Sequence, residues 1–353
     1  MSFTALDTTD FVVSSDSVVQ PMWSTGLPTL TTVNMISASN QSPAPQFYLD
    51  VYNTNPTASG ATIQFSIAYG NINGLGSQQY NPLVPNMSPS RTTYGQYRNL
   101  VYADETQLFN FGGLNSASND IFAININRNL YKESIFPGTT KLSLTNGGTT
   151  INLTDDSVDV QNQNKTITYK DCGRVYNLIS GSYGQASSTM INGSSTLGWT
   201  VSGSYGFFLP DIGTLILNPD ALQLPAASGG IGLSIDSGSY SSGLPSSSVN
   251  NTNLYNAIKS GTCFQLNSQE TISANYVFVR VKNGEYNYSN NPSYLSGSSG
   301  QLIYPTLVNS PQTFPTTVGL YNNNGDLLAV AKLSKPLTKD FTKEMLLRVK
   351  IDW

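Results

Sequence analysis

Residues 317–353 read TVGLYNNNGDLLAVAKLSKPLTKDFTKEMLLRVKIDW, and two β patterns stand side by side in them. From Leu327 to Leu333 nearly every position is apolar, the pattern of a strand covered on both faces. From Leu347 the pattern changes: Leu347, Val349, Ile351 and Trp353 alternate with Arg348, Lys350 and Asp352, as in a half-exposed strand. The C-terminal segment is therefore expected to end inside a sheet, with Trp353 tied into a core. Just before the first of these stretches, Asn324-Gly325 fits a turn position that needs a positive φ.

The same reading extends upstream. Phe47, Leu49 and Val51 alternate with Tyr48, Asp50 and Tyr52; Ile63, Phe65, Ile67 and Tyr69 face one way, with Thr62, Gln64 and Ser66 facing the other. Phe122, Ile124 and Ile126 form another alternating strand. Leu142 and Leu144 lead through Asn146-Gly147-Gly148 to Ile151 and Leu153, a hairpin pattern. Ile167 with Tyr169, Val175 to Ile179, Leu215-Ile216-Leu217 before Asn218-Pro219, and Val277, Val279 and Val281 complete the strand set. Helices are few. Tyr94, Tyr97 and Val101 follow Ser90, an expected N-cap, and place a helix near 91–103; Leu254 and Ile258 before Gly261 place a second, short one.

The expected fold is mainly β, with two or three β-sandwich-like domains, an extended N-terminal arm and few short helices. Composition shifts divide the chain into an arm at 1–45, a β-rich domain at 46–180, a Gly/Ser-rich β and loop region at 181–250, and a C-terminal β domain at 251–353. Gly-Ser-Tyr recurs at residues 181, 203 and 238, but its unequal spacing marks composition and not a repeat.

Composition narrows function. With 353 residues the chain can build sizeable cores without covalent staples. Charged residues are 11% of it and the net charge is −4, so no basic footprint for nucleic acid or an anionic membrane exists. No secretory leader or apolar run long enough to span a bilayer is read, and a soluble protein made in a cytoplasm is expected. The two cysteines, Cys172 and Cys263, are read as buried free thiols.

There is no histidine, which excludes Ser-His-Asp and Cys-His nucleophile systems and His-ligated zinc and haem. Gly74-Leu75-Gly76 and Gly229-Gly230-Ile231-Gly232 lack the further glycines of a dinucleotide fingerprint. Asp155, Asp156 and Asp159, near Asn152, could begin a glycosidase pair or a calcium site; the ordinary alternative is a polar turn closing a hairpin. Asp104-Glu105 is read as solvated. No catalytic residue, cofactor site or metal site is assigned, and the chain is read as non-enzymatic. The 20 tyrosines suit both sheet packing and adaptable recognition. The loop carrying Tyr286, Asn287, Tyr288, Asn290 and Asn291 has aromatics without a repeating apolar face, and is the expected partner-contact loop.

Several stretches carry a family likeness. Phe278-Val279-Arg280-Val281, the run from Glu285 to Pro292, Thr316 to Asn322, Leu327 to Pro336, Asn119 to Asn125 and on to Lys132-Glu133, and Leu153-Thr154-Asp155-Asp156-Ser157 together resemble structural proteins of large contractile-tailed bacteriophages, notably those of cyanobacteria. The resemblance implies a non-enzymatic virion component of the tail, baseplate or fibre-attachment region, present in several copies and packed against itself and other virion proteins. Two alternatives go with it: a tail protein that binds a host receptor or surface glycan, and a capsid decoration protein. A depolymerase using the Asp155 cluster is the enzymatic rival.

Overall fold

The computed structural model describes residues 3–37, 48–77, 87–112, 117–158, 168–187, 198–236 and 246–352, without the side chains of 246–248 and 298. Phe47, Asp159, Ile167, the third Gly-Ser-Tyr and Trp353 lie outside these residues. The chain is mainly β, with 41% strand against 18% helix. In chain order the longer strands are β1 (Phe11–Pro21), β2 (Tyr48–Tyr52), β3 (Ile63–Asn71), β4 (Asp120–Ile126), β5 (Lys141–Asn146), β6 (Thr149–Asp155), β7 (Gly173–Ser182), β8 (Gly206–Leu209), β9 (Thr214–Leu217), β10 (Asn267–Val281), β11 (Thr317–Tyr321), β12 (Leu327–Lys332) and β13 (Met345–Asp352). The longer helices are α1 (Pro89–Tyr102) and α2 (Ser246–Gly261). Contacts group the chain into two compact units, Val18–Glu270 and a smaller one made of Met1–Ser17 with Thr271–Trp353.

The larger unit is built on one curled antiparallel sheet of 13 strands, whose path includes β5, β6, β7, β8, β9, β4, β3 and β2 in that order. Both faces of its centre are apolar, and each face has its own cover. Phe122, Ile124, Leu215, Leu217 and Phe208 point into the cluster that holds Leu254, Tyr255 and Ile258 of α2. Ile121, Ala123, Ile216, Phe207 and Leu209 point the other way, into the cluster that holds Tyr94, Tyr97 and Val101 of α1. Cross-strand partners share a face, and the register obeys this: Ile124 lies opposite Leu215 and Ala123 opposite Ile216. Continuous apolar runs such as Leu215-Ile216-Leu217 follow from this two-sided burial.

Local chemistry sets the connections. β5 and β6 pair Leu142 with Leu153 and Leu144 with Ile151, as the alternation predicts, and Asn146 with Thr149. That leaves Gly147 and Gly148 as a two-residue turn at φ 55° and 83°, the type I′ geometry that only residues free of Cβ strain adopt readily. α1 begins two residues before the expected start. Ser88, not Ser90, accepts the hydrogen bond from the Arg91 N–H, because Pro89 occupies the first turn, where a missing N–H costs nothing. The Ser90 hydroxyl is spent on the Leu75 carbonyl at 2.8 Å. α2 is longer than the short helix expected, at 16 residues.

The N-terminal region is only partly an arm. β1 is exposed along nearly its whole length. Beyond it, Met22, Trp23, Leu30 and Met35 are buried, and the Trp23 ring meets Phe264 at 5.2 Å and Phe65 at 6.4 Å between centroids. Of the two free cysteines, Cys172 is buried and Cys263 only half-buried; burial pushes both thiols up.

The smaller unit has a sheet in the order β1, β10, β13 and a separate hairpin of β11 with β12. β10 and β13 pair from Ala274 opposite Asp352 to Val281 opposite Met345. Leu347 and Val349 are buried while Arg348 and Lys350 are exposed, so the expected alternation of the last strand holds through Asp352. On the opposite face, the Arg348 guanidinium lies 5.3 Å from the centre of the Tyr276 ring. The expectation for Leu327 to Leu333 fails. Among the described residues β12 has one neighbouring strand, and Leu327, Leu328 and Val330 are 52%, 68% and 61% exposed.

Candidate interaction surface

The loop expected to meet partners is built around a buried ammonium. Lys339 is fully buried, and its Nζ donates to the Asn283 carbonyl (2.8 Å), the Asn287 Oδ1 (2.8 Å) and the Asp340 carbonyl (2.9 Å). All three of its protons are thereby placed, which is what makes a buried ammonium tolerable. Asn287 completes the ring by donating through Nδ2 to the same Asn283 carbonyl at 2.7 Å. Lys339 and Thr313 exchange backbone hydrogen bonds of 2.9 Å in each direction, and the Thr313 hydroxyl donates to the Tyr286 carbonyl at 2.5 Å. Tyr286 itself sits at φ 54°, a left-handed conformation costing an L-residue about 1 kcal/mol or more. The surrounding bonds hold it there, and its phenol meets the Thr4 hydroxyl at 3.0 Å.

The five expected contact residues thus separate. Asn287 is buried and works as an internal brace. Tyr288 is 73% exposed, and Asn290 and Asn291 are exposed beside it. Tyr286 is about half committed to the loop, at 39% exposure. No sequence signal pointed to Lys339, which lies 52 residues from Asn287 in a polar run of ordinary composition.

Apolar surface is unevenly distributed. Among the described residues, sixteen of the twenty-four large exposed hydrophobic side chains belong to the smaller unit. Its buried apolar residues are Ala274, Val277, Leu347 and Val349, while both extended hydrophobic clusters consist of residues of the larger unit. Phe3, whose ring meets Tyr321 edge-on at 5.0 Å, is itself 64% exposed. Concentrated apolar exposure of this kind marks surfaces that meet other molecules.

The carboxylates singled out from the sequence are occupied structurally. Both oxygens of Asp155, which is fully buried, accept from the Gly138 N–H at 2.8 and 2.9 Å. Asp156 accepts from the backbone and the side-chain amide of Asn177, both at 2.9 Å, and burial pushes its carboxyl up. The Asp155 bonds tie the end of β6 to the segment before β5, and the Asp156 bonds tie it to β7. Asp104 is exposed and accepts from the Thr106 hydroxyl and backbone, bonds that hold its carboxyl below the usual range. A polar cleft of about 370 Å³ has Asp120 and Asp220 in its wall. Burial pushes the Asp120 carboxyl up although the Tyr69 hydroxyl (2.6 Å) and the Asn71 amide (2.5 Å) donate to it. No cluster of three or more metal-ligating side chains, and no helix long and apolar enough to cross a membrane, occurs among the described residues.

No protein-family model, curated protein or solved structure matches this chain.

Proposed function

We propose that the chain is a structural component of a bacteriophage particle, in the tail, baseplate or fibre-attachment region, and that it acts by packing and strand pairing between subunits. The observation that carries this reading is the smaller unit, which among the described residues has four buried apolar side chains and leaves strands exposed on their apolar positions. Ordering such a unit costs conformational entropy that its own burial offsets poorly, and covering it with further polypeptide supplies the missing term. The chain carries few charges, so closing such interfaces desolvates few ions. The test is quantitative mass spectrometry of purified particles. The reading expects this chain at a fixed ratio to the major tail protein, set by the rotational symmetry of its station. Absence from washed particles sinks it, and a copy number matching the capsid surface lattice moves the chain to capsid decoration.

A second reading draws on one specific feature. Tyr288 stands 73% exposed next to the amides of Asn290 and Asn291, a combination that can stack on and hydrogen-bond to a sugar. Binding of the purified chain to host cells or surface glycan, lost in Tyr288→Ala, would favour a host-recognition role.

A further inference from the structure

A cleft of about 410 Å³ opens beside α1 in the larger unit. Arg91, Gly95 and Arg98 stand in its wall, at i, i+4 and i+7 along one face of the helix. The segment after β3 adds Asn73, and the segment after α1 adds Glu105 and Thr106. Two features of this wall have no explanation within the fold. Gly95 lies in the interior of α1, where glycine weakens a helix relative to alanine. Its φ is not positive, and a Cβ there would meet no described atom within 4 Å beyond the helix itself. Neither backbone strain nor close packing calls for glycine; its missing side chain keeps the cleft open. The second feature is Arg98, whose Nε is closed off from solvent and has no hydrogen-bond partner among the described residues. Its guanidinium packs 5.8 Å from the centre of the Tyr94 ring, a contact that leaves the Nε donor unmet. Buried donors without an acceptor are rare in folded chains.

We propose that this cleft binds an acidic sugar, a monosaccharide unit that carries a carboxylate. A carboxylate accepts from Nε and one Nη of a guanidinium as a pair of parallel hydrogen bonds. A turn about the last side-chain torsions of Arg98 then satisfies the unmet donor and the charge of the ligand together. The other charges of the wall select the class. Glu105 lies in it, and beside it lies Asp104, whose carboxyl is held down by the Thr106 hydrogen bonds first and by the Arg98 charge as well. Two carboxylates thus balance two guanidiniums, and a bare anion gains little from the local field. Sugar hydroxyls add what a bare anion lacks. They can donate to the Glu105 carboxylate while accepting from the Asn73 amide or the Thr106 hydroxyl.

The volume lies within the range of small-molecule sites and has room for one sugar ring. The inference goes beyond the structural role proposed above and rests on α1 and its neighbouring segments. It depends neither on the particle nor on the loop at Tyr288.

Calorimetric titration of the purified full chain with glucuronate, galacturonate and N-acetylneuraminate tests it, with glucose and inorganic phosphate as comparisons. The expected result is saturable binding of at least one acidic sugar, about tenfold or more tighter than glucose or phosphate. Arg98→Gln removes the charged fork, and Gly95→Gln fills the cleft with a residue of good helix propensity; each is expected to weaken binding about tenfold or more. Tyr288→Ala is expected to leave it unchanged. Circular dichroism of each variant confirms that it is folded. No saturable binding of any of the three acids, equal affinity for glucose or phosphate, or binding indifferent to Gly95→Gln overturns the proposal. Acidic-sugar binding with all these properties in a chain missing from washed particles leaves it standing and removes the virion reading; the reverse result separates the two the other way.

Discussion

The two units of this chain use the same raw material to opposite effect. In the larger unit, Leu215-Ile216-Leu217 is apolar at every position, and helices α1 and α2 cover the two faces of its sheet. In the smaller unit, Leu327 to Leu333 is as apolar, yet among the described residues β12 has a single neighbour and its leucines lie open. An apolar run states that a strand needs cover without stating where the cover comes from. The larger unit finds it within its own fold; the smaller one is completed, on our reading, by other polypeptides.

Four experiments can break or sharpen that contrast. The largest effect belongs to the larger core: Phe122→Ala, at a fully buried position between strands, is expected to cost about 3–5 kcal/mol in denaturant unfolding. Leu328→Ala in the smaller unit is expected to change the stability of the isolated chain by less than ~0.5 kcal/mol. Comparable losses in both would mean that the smaller unit has a core of its own.

Next comes the Lys339 brace. Lys339→Met removes an ammonium whose hydrogen bonds hold Asn283 and Asn287, and a loss of ~2–3 kcal/mol in local stability is expected. Hydrogen exchange over residues 283–292 should accelerate while α1 and α2 keep their protection. Unchanged exchange in the loop would show that the brace is dispensable.

A smaller effect attaches to the ion pair of the larger unit. Arg174 Nη2 meets Asp211 Oδ1 at 2.5 Å, with both side chains partly exposed, so Asp211→Asn is expected to cost only ~1–2 kcal/mol after solvent screening. Burial pushes the Asp211 carboxyl up, but the hydrogen bonds and charge of Arg174 outweigh it and leave the carboxyl below its ordinary range. A lowered carboxyl stabilises the fold above its unfolded value, about pH 4, and loses that contribution as the pH falls through the folded value. The acid limb of the wild-type stability curve should therefore flatten in the variant.

The smallest effect runs in the opposite direction. Burial raises the Asp156 carboxyl, so its contribution is full below the unfolded value and declines as pH rises through the folded one. Asp156→Asn should remove a loss of stability that sets in as the pH rises above about 4, so the rise of stability on the acid limb becomes steeper in the variant. A variant whose acid limb flattens would contradict that assignment.

How far the fold could be read from the sequence depended on the range of the interactions involved. The hairpin at Gly147-Gly148 was legible because turn chemistry and alternation lie within a dozen residues. The helix holding Tyr94, Tyr97 and Val101 was legible from its period, whereas its cap was displaced because Pro89 competes for the first turn. Met22, Trp23, Leu30 and Met35 gave no local sign of being core, because Trp23 is buried against Phe264, 241 positions away. The loop at Tyr286 stood out by its aromatics. Which of its residues face outward depended on Lys339, whose burial has no signature in a run of lysines and threonines.

Composition and short-range pattern alone thus determined that this chain is mainly β, that it lacks imidazole chemistry and that its strands turn where Gly and Asn permit. Those properties depend on side-chain type and on backbone conformation within a few residues. Tertiary structure alone decided which apolar strands are covered, that Asp155 and Asp156 are spent on backbone amides, and that the edge of β12 is open. The physical reason is that burial is a property of pairs of distant segments. Two stretches with the same apolar pattern can therefore meet opposite fates.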